Sequence, residues 1–113
     1  MLYFYNMSRE DEEELVYKAL ADGRRRKMLD LLQRERMSTS DLASHFPHLD
    51  RCTVMQHLGV LEEAGLIIAK REGRERWNHL NPLPIRDIHE RWIGPYAAYA
   101  VEKLAALKSG LES

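Results

Sequence analysis

Gln56 stands among Cys52, Thr53, Met55, Gly59 and Val60, a set of short, uncharged or apolar-tipped side chains within residues 50–66. That chemistry suits the edges of base pairs: an amide can donate and accept toward adenine, while small and apolar groups approach bases without a charge to desolvate. The stretch has the pattern of one amphipathic helix. Asp50 can accept from the free N–H groups of a first turn, Val54, Leu58 and Leu61 recur at helical spacing on one face, and Gly65 supplies the left-handed residue that ends a helix. At about 100° per residue the opposite face holds Cys52, Gln56, Gly59 and Glu63, flanked by Thr53, Met55 and Val60. A solvated face more often carries Lys and Glu, so we read a recognition helix with Gln56 as base reader, and an ordinary surface helix as the alternative.

Other reactive side chains make weaker patterns. His45, His48 and Cys52 offer imidazole and thiolate ligands of the kind zinc takes, but they sit where a turn must also position the helix. Cys52 near a helix start could titrate low and sense oxidants, and a small half-exposed filler is the plainer reading. The five histidines are scattered over helix edges and turns, and no nucleophile, base and oxyanion donor form a set. An enzyme is therefore not expected.

The elements that must hold the recognition helix follow from the rest of the chain. Glu10 to Glu14 form an acidic start for a first helix over residues 11–21, with Leu15, Val16, Ala19 and Leu20 as its apolar positions. Asp22-Gly23 breaks it, and Arg24, Arg25, Arg26 and Lys27 open a second helix at the end where the dipole disfavours cations. Phosphate contact is one reading of that run, and pairing with the acidic segment of the first helix or plain solvation is the other. Ser38 with Asp41 gives a capping-box-like start to a third helix, which Pro47 stops. Residues 47–49 then lead directly to Asp50, a helix-turn-helix arrangement.

After Gly65 the pattern turns β-branched and then alternating over residues 66–80, with Glu72-Gly73 as the turn, which predicts a β-hairpin. Arg71, Arg74 and Arg76 lie near its tip, with Glu72 and Glu75 offsetting much of their charge. Beside a recognition helix such a hairpin reads as a wing. Ile85, Ile88, Trp92, Tyr96, Ala100, Leu104, Leu107 and Leu111 keep helical spacing to the end, and Gly94-Pro95 predicts a kinked helix or two helices. So long an apolar stripe exceeds what a small core needs and marks a dimerisation surface.

At 113 residues, with 17 Lys+Arg against 18 Asp+Glu and a net charge of −1, any nucleic-acid binding must come from local charge. One cysteine excludes an internal disulfide. Residues 1–10, with the aromatic start Leu2-Tyr3-Phe4-Tyr5, are read as a disordered or weakly packed leader and residues 11–113 as one domain. No signal peptide or membrane span is apparent, so a soluble cytoplasmic protein with no membrane partner is expected.

This order of elements resembles the ArsR family of bacterial winged helix-turn-helix repressors. Its carriers are Ala19-Leu20-Ala21-Asp22-Gly23-Arg24-Arg25-Arg26, the run from Val54-Met55-Gln56-His57-Leu58 to Glu63-Ala64-Gly65-Leu66, and Arg71-Glu72-Gly73-Arg74. The resemblance implies a mostly α fold with a small β-hairpin, a winged helix-turn-helix with N- and C-terminal dimerisation helices. It implies a sequence-specific, homodimeric repressor on an inverted-repeat operator in double-stranded DNA. It also implies base or phosphate contacts from Arg51, Thr53, Met55, Gln56 and His57, and from Arg71, Arg74 and Arg76 on the wing. His57 borders the buried face, where it would cap a packed position instead. Gly59 departs from the family, which places a long polar or basic residue there. Metal-sensing members carry paired cysteines on the third helix or an Asp-x-His with further ligands on the last. Here Ser38 to Leu42 has no cysteine, and Asp87-Ile88-His89 has no downstream histidine, so no metal or other cofactor is expected. An unidentified small-molecule inducer remains a partner class. A winged-helix module that binds protein rather than DNA is the alternative function.

Overall fold

The computed structural model describes residues 7–112. Helix α1 (Arg9–Leu20) starts two residues earlier than the acidic run suggests, because Ser8 caps it: Ser8 Oγ accepts from the Asp11 N–H at 3.1 Å and Asp11 accepts from the Ser8 N–H. Part of the expected leader is thus helix, while residues 1–6 lie outside the described residues. Asp22 caps α2 (Gly23–Arg34), receiving the Arg24 N–H at 2.8 Å.

Strand β1 (Met37–Ser38) was not foreseen. It pairs antiparallel with β3 (Glu75–Leu80), Met37 opposite Asn78 and Ser38 opposite Trp77, so the expected hairpin is a three-stranded sheet of order β1-β3-β2, with β2 at Ile67–Glu72. Fully buried Asn78 fastens this junction, donating to the Met37 carbonyl and to Thr39 Oγ1, each at 3.2 Å. Ser38 then caps α3 (Thr39–Ser44), and α4 (Arg51–Glu63) follows from its Asp50 cap.

The end of α4 is a Schellman motif. Gly65 has φ +76°, its N–H donates to the Glu62 carbonyl, and the Leu66 N–H donates to that of Leu61. Strands β2 (Ile67–Glu72) and β3 (Glu75–Leu80) flank a two-residue turn, Gly73-Arg74, one residue later than expected. Positive φ at Gly73 but not at Arg74 is the pattern of a II′ turn, whose twist matches the strands.

The core gathers Val16, Ala19, Met28, Leu29, Leu32, Leu42, Val54, Leu58, Leu61, Leu66, Ile67 and Ile88, drawn from every helix but the last. Helical hydrogen bonding continues without a gap through Gly94-Pro95. Helix α5 (Leu83–Ile88) passes through a π turn (His89–Ile93) into α6 (Gly94–Glu112). The Gly94 N–H bonds to the His89 carbonyl, so the ladder slips to i→i+5 just before Pro95, which has no N–H to give. A Cβ on Gly94 would stand 2.9 Å from that carbonyl oxygen, which makes glycine the residue that fits. Helix α6 packs chiefly on this turn, and residues 95–111 are all exposed. The radius of gyration is consequently 18.3 Å, against about 13 Å for a compact domain near this size.

Candidate nucleic-acid interface

Helices α3 and α4 meet across residues 45–50, and the cap fixes where α4 begins. Asp50 Oδ1 accepts from the Thr53 N–H at 2.7 Å, and this bond holds the Asp50 carboxyl below its ordinary range. Val54, Leu58 and Leu61 are fully buried, which turns Arg51, Cys52, Met55, Gln56 and Gly59 to solvent and leaves Thr53 half-buried. A Cβ on Gly59 would meet nothing within 4 Å, so the outer face is open there.

His57 does not join this face. It is 7% exposed, and its Nδ1 lies 3.1 Å from Arg25 Nη1. Three residues after the buried Val54, the ring turns inward onto the start of α2, away from the outer face where a contact role was expected. Burial lowers its pKa below the ordinary value, with Asp22 opposing and Arg24 and Arg25 reinforcing the shift.

The wing arginines also divide. Arg71 and Arg74 are exposed, but Arg76 is drawn back, donating to Glu62 at 2.6 Å and lying 3.9 Å from Met55 Sδ. Glu72 is taken by Arg36 at 3.1 Å, and Arg36 in turn stacks 4.2 Å from the Trp77 ring. The acids expected to offset the wing are therefore partly engaged by the body of the fold.

The basic run at the start of α2 has a use the sequence did not show. Arg24 pairs with Asp22 at 2.9 Å and holds its carboxyl well below the carboxylate range. Arg25 donates to the carbonyls of Ala19 and Lys18, and Arg26 to that of Leu20. These cations meet the negative end of α1, not its acidic start. Lys27 lies over the Phe46 ring. Among the described residues no three His, Cys, Asp or Glu side chains converge as metal ligands, so His45, His48 and Cys52 do not form a set.

Short α3, capped α4 and the adjoining hairpin define a winged helix-turn-helix DNA-binding regulator. A family described as a helix-turn-helix domain matches residues 20–68. The transcriptional repressor SdpR of Bacillus subtilis is 36% identical over 72 residues, 64% of this chain and 79% of that one. A crystal structure of an ArsR family transcriptional regulator superposes with TM-score 0.71 at 28% identity, covering 78% of this chain and 94% of the other. The homodimeric winged helix-turn-helix DNA-binding domain of a possible ArsR-family regulator from Mycobacterium bovis has TM-score 0.59 at 30% identity, covering 83% and 82%. The chain belongs to the ArsR family of winged helix-turn-helix regulators. These relatives support DNA as the partner, and not the protein-binding alternative. Among the described residues no helix is long and apolar enough to cross a membrane.

Proposed function

We propose that the protein is a homodimeric repressor that seats α4 of each subunit in successive major grooves of an inverted-repeat operator, with the wings on the flanking backbone. Gln56 reads a base edge, and Thr53 and Met55 supply apolar contact. Arg51, Arg71 and Arg74 meet phosphate. The observation that carries this is the outer face of α4: exposed, short-chained and uncharged from Cys52 to Gly59, beside a wing whose Arg71 and Arg74 reach solvent. Such a face has little to offer water and much to offer a groove.

Two subunits are required by the geometry of an inverted repeat, and α1 with α6 is the surface we assign to them. Trp92, Tyr96, Leu104, Leu107 and Leu111 are each more than half exposed on one subunit, an apolar stripe that association would cover. Repression would follow from occupying the site that polymerase needs. Selection of bound duplexes from a random DNA pool tests the reading. Two-fold related half-sites about 34 Å apart, or a multiple of that, are expected. Recovery of unrelated sequences would reject it.

A further inference from the structure

Arg25 joins α1, α2 and α4 through hydrogen bonds from a single side chain. It projects from α2, its Nε and Nη2 donate to the Ala19 and Lys18 carbonyls at 2.8 and 2.9 Å, and its Nη1 meets His57 Nδ1 at 3.1 Å. The side chain is only 14% exposed. A guanidinium has no acceptor, so Nδ1 must offer its lone pair and the ring proton must sit on Nε2. Nε2 is buried with no hydrogen-bond partner, so no neighbour there would help to hold a second proton on the ring. Protonation at Nδ1 would set donor against donor. The charged groups around His57 are Asp22, Arg24 and Arg25, all at the start of α2, while α1 presents the Lys18 and Ala19 carbonyls to Arg25.

From this geometry we infer that Arg25 is a positioning residue for DNA recognition, a clasp that fixes the recognition helix against the end of α1 only while His57 is neutral. The inference rests on the reading of α4 as the DNA-reading helix. His57 is one turn from Thr53 and two residues from Met55, so release of its ring would let that turn shift against the groove without removing any group that touches DNA. The clasp also joins the reading helix to α1, one of the two helices we assign to the dimer, so subunit geometry and groove geometry share one side chain. Mutations along such a packed network change coupling by about 2- to 30-fold.

The test compares the full-length protein with His57→Asn and Arg25→Lys on a duplex selected from the random pool and on a scrambled duplex of equal length, with thermal melting to confirm folding. Asparagine presents Oδ1 where His57 presents Nδ1 and does not titrate. Lysine keeps the charge and loses the fork that reaches three acceptors. Between about pH 7.5 and about pH 5.5 the wild type should lose roughly 10-fold in affinity for the selected duplex, with no matching loss on the scrambled one. His57→Asn should keep its preference for the selected duplex across that window, and Arg25→Lys should have a reduced preference throughout. An acid loss in His57→Asn equal to wild type, or a wild-type profile in Arg25→Lys, overturns the clasp. A wild type that discriminates at neutral pH but shows no acid loss also overturns it. A wild type with no preference between the duplexes removes the DNA-reading assignment itself, and the clasp with it.

Discussion

Arg76 of β3 donates to Glu62 in the last turn of α4 at 2.6 Å, so the two elements we assign to DNA are tied to each other as well as to the core. The link is half open to solvent, with 50% of the Glu62 side chain exposed. Its value therefore lies in orientation more than in stability. Glu62→Gln should cost less than about 1 kcal/mol in urea unfolding. It also frees a cation beside the groove, so non-specific affinity should rise and the salt slope steepen by up to about one unit per subunit. An unchanged slope would mean that Arg76 stays bound in place without its acid.

Gln56→Ala and Arg74→Ala should fail differently in DNA titrations. Loss of the Gln56 amide should cost about 1 to 3 kcal/mol on the selected operator and relax one base pair per half-site, leaving non-specific binding alone. Loss of Arg74 should weaken all sequences alike and reduce the salt slope by about one unit per contact. Identical effects from the two would contradict the division between reader and anchor.

Gly59 sits mid-helix with open space beside it. Replacement by alanine should stabilise the fold by about 0.5 to 1 kcal/mol in denaturant unfolding. Gly59→Lys should in addition raise affinity for any duplex and steepen the salt slope. If alanine destabilises, a constraint on that face has been missed.

Leu104→Glu with Leu107→Glu places charges on the exposed stripe of α6, where the native residues are 65% and 63% exposed on the single chain. Sedimentation should show monomer at micromolar concentration where the wild type is dimeric, and operator binding should collapse. Circular dichroism of the winged core should persist. A dimer that survives both charges would move the interface elsewhere.

Stability should fall in acid, and the sign can be assigned. Backbone donation from Thr53 depresses Asp50, and the Arg24 hydrogen bond depresses Asp22, both from an ordinary value of 3.8. Their contribution is fully present above that value and is lost as pH falls through the depressed folded values. His57, depressed from 6.5, adds a separate loss that starts below 6.5 and deepens toward its folded value. Thermal melts of Asp50→Asn, which keeps a capping acceptor, should show a shallower acid limb than wild type, whereas Asp50→Ala should be less stable at neutral pH too. A wild-type acid limb in Asp50→Asn would remove the cap from the account.

Elements whose causes are local were legible in the sequence. The Asp50 cap and the Gly65 stop each act within four residues, and both ends of α4 stand where those residues place them. Strand β1 is two residues whose partners lie in β3, some forty positions away, and nothing in Met37-Ser38 announces that pairing. The inward turn of His57 was a matter of one helical position at the edge of the buried face. Its partner could not be read at all, because Arg25 is organised by backbone carbonyls of α1, which every sequence possesses. Gly94-Pro95 signalled an interruption, and the molecule resolved it by widening the helix for one turn instead of ending it.

Helix α6 runs for 19 residues, and every residue from 95 to 111 is exposed on its own subunit. A helix of about 28 Å with so little support is marginal by itself in water. In the proposed dimer its order is borrowed from a second chain, and mass action enters the design. Below the dimer dissociation constant the population able to span two half-sites falls with the square of monomer concentration, and thermal stability falls with it. A regulator built this way would respond to its own abundance more steeply than in proportion, so that modest changes in synthesis or turnover switch an operator between open and closed.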